Sequence, residues 1–115
     1  MQPMTAATKA YQTASGHRSL REQEADIFRR VNGGLRLARE QGSVQRARAL
    51  ADNRLLWITV DDLMRDPSNA LPSDLRASII SIGKAVRREI DSPRPDFEFL
   101  IGVNENLAAG LAAGS

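Results

Sequence analysis

The stretch SDLRASIISIGKAVRREI, residues 73–90, decides the fold. Leu75, Ile79, Ile82, Val86 and Ile90 recur in it at 4-3-4-4 spacing, the repeat of a single helix face. Pro72 stands before it and Ser92-Pro93-Arg94-Pro95 after it. Proline has no amide proton and restricts the residue before it, so the helix must stop there. An amphipathic helix over 73–90 cannot stand alone in water. Its apolar stripe needs other elements to pack against.

Those elements are legible on both sides. Upstream, residues 66–72 hold Pro67, Asn69 and Pro72 and read as a loop. Before the loop, the pattern predicts a helix over Val44–Met64 that is apolar on two faces. One face carries Leu50, Leu56, Trp57, Val60, Leu63 and Met64; the other carries Val44, Ala47, Ala51, Leu55 and Ile58. Such a helix is either central to a bundle or has a face left for a partner. Gly42 is predicted to close the preceding helix and Ser43 to cap this one. The preceding helix spans about Leu20–Glu40, opened by the capping-box spacing of Ser19 and Glu22. Its stripe is Leu20, Ile27, Phe28, Val31, Leu35 and Ala38. Gly33-Gly34 lies inside it, and each glycine costs a helix about 1 kcal/mol relative to alanine. A continuous but weakened helix is expected, with a kink as the alternative. A short Ala-rich helix over Met4–Ala14 comes first, ended by Gly16-His17. Downstream, Asp96 caps a last helix with stripe Phe97, Leu100, Ile101, Asn104, Leu107, Ala108 and Leu111. No alternating run bounded by turns reads as a strand. The expected fold is all-α: one compact domain, residues 1–115, built as a bundle of four to five helices. Residues 1–16 are expected to be mobile and the tail 112–115 to fray.

Composition bounds the chemistry. With 115 residues, 42% hydrophobic and 26% charged, the chain suits one globular domain with a modest core. It has no cysteine, so a disulfide, a thiol nucleophile and a thiolate metal site are excluded. No apolar run approaches the roughly 18 residues that cross a bilayer, and the N-terminus does not read as a signal peptide. A cytoplasmic protein is expected. The net charge of +2 is uneven: residues 1–50 hold nine basic and four acidic side chains, residues 51–115 seven and ten.

Nothing in the sequence is arranged for catalysis. His17, the one histidine, stands beside Gly16 in an expected loop. Asp61 and Asp62 are adjacent on a helix and point about 100° apart, poor geometry for a shared metal. Gly33-Gly34 lacks the lysine and the strand of a phosphate loop. No catalytic residue, metal site or cofactor is expected.

Binding is the better prospect. Arg18, Arg21, Arg29, Arg36 and Arg39 fall within about 80° on one helix face, so they could meet phosphates or an acidic surface. Glu22 and Glu40 on the same side dilute that field, and a solvated, salt-bridged face is the commoner outcome. Asn53 and Asn104 interrupt apolar stripes, and a buried amide must find partners or cost about 1–3 kcal/mol. A satisfied core asparagine is a commoner use than a ligand contact. Trp57, the only tryptophan, belongs first to the core. Ile80 sits off the stripe of its helix, and Phe99 and Val103, four residues apart, form a second small stripe. With Leu55 and Ile58, these three are the candidate partner-binding residues.

The second half of the chain resembles the FlaF family of flagellar biosynthesis regulators. The resemblance rests on Asn53-Arg54-Leu55-Leu56-Trp57, Asn69-Ala70-Leu71-Pro72-Ser73-Asp74-Leu75-Arg76-Ala77, Ile79-Ile80-Ser81-Ile82-Gly83 and Arg88-Glu89. Phe97, Leu100-Ile101, Asn104 and Gly110-Leu111 complete it. Tyr11 through Arg21 to Glu24 matches more loosely. The resemblance implies a cytoplasmic protein that couples flagellin synthesis to export. Its partners would be flagellin and, in opposition, the flagellin translation repressor FlbT. It implies no catalytic or cofactor residue. Two modes of action are open: a chaperone-like adaptor that binds flagellin, and an RNA-binding regulator of flagellin message.

Overall fold

The computed structural model describes residues 24–113. They form four helices: α1 (24–38 within the described chain), α2 (Ser43–Arg65), α3 (Ser73–Ile90) and α4 (Phe97–Ala113). No strand occurs among the described residues. The chain is an all-α single-domain bundle. The helix expected over Met4–Ala14 and the capping box at Ser19–Glu22 lie outside the described residues, as do Gly114 and Ser115.

The helix bounds follow local chemistry. α3 begins and ends where the prolines require. α4 starts on Asp96, whose Oδ1 accepts the Phe99 amide at 3.1 Å and so satisfies a free N–H of the first turn. It runs to Ala113, into the segment expected to fray. α1 passes through Gly33-Gly34 without interruption and stops at residue 38, two residues early. There the amides of Glu40 and Gln41 turn to carbonyls three residues back, Leu37 and Ala38, which tightens and ends the coil.

Gly42 corrects an expectation. It does not close α1 in a left-handed conformation; it is the extended N-cap of α2 at φ −77° and ψ 178°, and Ser43 is already helical. The Gly42 carbonyl accepts the first helical bond, from Arg46 at 3.1 Å. Nothing between Gln41 and Ser43 needs a positive φ, because the turn above has already ended α1.

Neighbouring helices run antiparallel. Arg54 of α2 pairs with Asp91 just beyond α3, while Asp61, two turns further along α2, meets Arg87 at 3.6 Å. α1 and α4 are tied the same way by Arg36–Glu105 and Arg39–Glu98. The loop between α2 and α3 is fixed by its own polar groups. Asp66 Oδ1 accepts from the Ser68 amide and hydroxyl, and Asn69 Nδ2 donates to the Leu63 carbonyl at 2.8 Å.

The core is built around Trp57, which is 1% exposed and meets Phe28 edge-on with ring centroids 6.0 Å apart. Leu35, Leu56, Val60, Val86, Leu100 and Ile101 pack around them. Four residues assigned to core stripes are instead exposed: Ile27, Leu63, Leu75 and Ile82. On α3 the buried line is Ile79, Gly83, Val86 and Ile90. It is centred on Gly83, whose missing Cβ would stand 3.1 Å from Trp57 Cε3. The close approach of α3 to the indole turns Leu75 and Ile82 to the edge. On α1 the buried line is Ala25, Phe28, Asn32 and Leu35, which leaves Ile27 beside it. On α3 the smallest residue faces inward, because the Trp57 ring takes up the space there.

Candidate functional site

Two features stand out from this packing: a buried polar cluster and an apolar groove. The cluster is made by three asparagines on three helices. Asn32, Asn53 and Asn104 are each 2% exposed or less. Trp57 Nε1 donates to Asn104 Oδ1 at 2.9 Å. Asn104 Nδ2 donates to Asn53 Oδ1 at 2.8 Å and to Asn32 Oδ1 at 3.3 Å. Asn32 Nδ2 closes the chain on the Ile101 carbonyl at 3.1 Å. Within the cluster, Asn53 Nδ2 alone has no hydrogen-bond partner among the described residues. Asn53 and Asn104 therefore sit in the core and fix how α1, α2 and α4 meet, Asn104 bonded at both ends of its amide and Asn53 at its Oδ1 alone. The sequence pointed to both, but not to Asn32, because Gly33 and Gly34 beside it read as a weak point of the helix.

The groove has a volume of about 500 Å³. It opens where α1, the C-terminal half of α2 and the last turns of α4 converge. Ile27 and Val31 line it from α1, and Leu55, Leu56, Val60, Leu63 and Met64 from α2. Leu71, Ile79, Leu107 and Leu111 complete the apolar lining, and Glu24, Arg30, Asp52 and Thr59 supply polar edges. Ile27, Leu55 and Leu63 are 48%, 64% and 47% exposed, so the lip is open to solvent. Phe28 joins the two features, lining the groove while its ring meets Trp57.

The five predicted partner-binding residues do not gather at one place in this groove. Leu55 lines it; Ile58, Ile80, Phe99 and Val103 do not. Ile58 and Phe99 are exposed at 39% each. Ile80 is half-buried. Val103 is half-buried and packs against the core, which separates it from Phe99. It stands three residues after Leu100 and four before Leu107, on the edge of the same stripe. Ile27 and Leu63 were missed as surface residues because their spacing fits the core stripes equally well.

The arginine face is largely spent on carboxylates. Arg29 pairs with Asp26 at 3.1 Å, Arg36 with Glu105, and Arg39 with Glu98 and Glu40. Arg18 and Arg21 lie outside the described residues. Between α1 and α4 is a smaller polar depression of about 290 Å³, with Asn32 and Asn104 among its lining and Arg36 and Glu105 at its edge.

Three carboxyls are held below the usual carboxylate range, each by a hydrogen-bonded neighbour. Arg65 does so for Asp61, with Arg87 and Lys84 adding to it against partial burial. Ser68 does so for Asp66, and Arg54 for Asp91. These are structural contacts at helix ends and between α2 and α3. Among the described residues no three His, Cys, Asp or Glu side chains are grouped to hold a metal ion, and no helix is long and apolar enough to cross a membrane.

Comparison with known proteins places this architecture. No curated protein and no solved structure matches the chain. The model of one family, flagellar protein FlaF, matches residues 7–111 and so covers the described helices up to the last two residues of α4, with the asparagine cluster and the groove. The chain belongs to the FlaF family of flagellar proteins.

Proposed function

We propose that this flagellar protein couples flagellin synthesis to flagellin export by holding an amphipathic helical segment of flagellin in the groove between α1, α2 and α4. It acts in the cytoplasm by binding, not by catalysis, and FlbT would be its functional opponent. The observation behind the reading is the open apolar groove with Ile27, Leu55 and Leu63 at its lip. An amphipathic helix laid in such a groove exchanges apolar surface on both sides for contact, at roughly 25 cal/mol per Å² removed from water. A chaperone of this kind covers a segment that would otherwise associate prematurely. The RNA-binding alternative has less behind it: Arg29, Arg36 and Arg39 each already face a carboxylate, and phosphate binding would have to displace it.

Pull-down and calorimetry with purified flagellin test the proposal. The wild-type chain is expected to form a complex, and Leu55→Asp with Leu63→Asp is expected to abolish it while the helical circular dichroism persists. No complex with flagellin at tens of micromolar protein removes the chaperone reading. A gel shift with flagellin message at low salt decides the alternative.

A further inference from the structure

α2 carries a second apolar surface that shares only Leu55 with the groove. Val44, Ala47, Ala51, Leu55 and Ile58 recur at 3-4-4-3 spacing on the side of α2 opposite the buried Asn53 and Val60, and all five are exposed. Val44 and Leu55 are 65% and 64% exposed. This is the spacing of a helix–helix seam, and no described element covers it. The charges beside the stripe are divided by sign. Arg48 stands seven residues before Leu55 and Asp62 seven residues after it, both exposed. Neither makes an ion pair among the described residues, although seven other ion pairs do form there.

We infer that the outer face of α2 pairs with α2 of a second copy of this chain, antiparallel about a two-fold axis at Leu55. A two-fold interface must be self-complementary, and this one is. Leu55 meets its counterpart on the axis, the large Ile58 of one copy lies over the small Ala51 of the other, and Arg48 of each copy faces Asp62 of the other. A parallel pairing would instead set Arg48 beside Arg48 and Asp62 beside Asp62. One helix pair buries less than the roughly 1,200 Å² of stable complexes, so the dimer is weak, with dissociation in the micromolar range or above. The seam shares Leu55 with the groove, whereas Arg48, Asp62, Val44 and Ile58 do not line it, so variants at these four positions test the seam apart from the groove.

Sedimentation equilibrium of the full chain, up to about 1 mM, tests the inference. The wild type is expected to show a reversible monomer–dimer equilibrium. Arg48→Asp and Asp62→Arg are each expected to weaken it at least ten-fold, and the double variant carrying both is expected to recover it. Mixing the two single variants gives the sharpest result. Each homodimer sets like charges together, whereas the mixed dimer has an opposite-charge pair at both positions, so heterodimers should form in preference. A wild type that stays monomeric at 1 mM overturns the inference. So does a dimer indifferent to both reversals, which would place the interface on another face, and so does a pair of single variants that do not prefer each other. Val44→Ser with Ile58→Ser should give a folded monomer, and a folded dimer from that variant counts equally against the seam.

Discussion

At the scale of single residues, Gly83 and Trp57 explain most about the fold. A Cβ at position 83 would stand 3.1 Å from Trp57 Cε3, and the indole has little freedom to retreat. Its Nε1 is held by Asn104, and Phe28 meets the ring edge-on. Gly83→Ala brings two opposed effects. Alanine favours a helix by about 1 kcal/mol, while overpacking a filled core costs about 1–3 kcal/mol. The expected result is a net loss of about 1 kcal/mol, read as a lower urea midpoint. An unchanged or higher midpoint would mean that the ring yields. The sequence marked Trp57, Asn53 and Asn104 as core by their place in apolar stripes. It could not mark Gly83 or Asn32, because an approach between helices leaves no trace in the spacing of one of them.

At the scale of helices, periodicity gave the elements and their order, but not the rotation of each about its axis. α3 occupies the predicted residues, yet two of its five stripe residues, Leu75 and Ile82, are exposed. A 3.6-residue repeat fixes a face only to within about one residue, and packing partners choose within that width. The two-faced character of α2 was legible, and the structure resolves it: one face is core and the other is free. The same uncertainty hid the groove, since its lip is made of Ile27 and Leu63, residues that fit a core stripe. Gly33 tests the reading of α1. The helix is continuous there, and a Cβ at Gly33 would meet nothing within 4 Å. Gly33→Ala should therefore raise stability by about 0.5–1 kcal/mol, through helix propensity alone. A lower thermal midpoint would show that position 33 needs its glycine.

At the scale of the whole molecule, ion pairs join the helices and a groove lies open among them. Asp61 and Asp91 pair with arginines of α2 and α3, and Asp66 orders the loop between those helices. All three carboxyls are lowered below their ordinary value. A group lowered in the folded state adds stability that is complete above its unfolded pKa, about 3.9 for aspartate, and is lost as pH falls through the folded value. Urea midpoints should therefore hold steady from pH 7 to about 5 and fall below about 4. Asp91→Asn should make that acid loss shallower; an equal loss in the variant would show that Asp91 contributes nothing to it. The family and the helical class were both legible from ordered residues across 53–111. Of the five residues expected to bind a partner, only Leu55 lines the proposed groove, since a groove belongs to several helices at once. The most direct measurement of the central claim is a methyl NMR titration of the full chain with flagellin. The account expects the methyl signals of Ile27, Leu55 and Leu63 to shift together and saturably, with those of Leu37 and Leu75 unmoved. Saturable binding that leaves Ile27, Leu55 and Leu63 unshifted would contradict it.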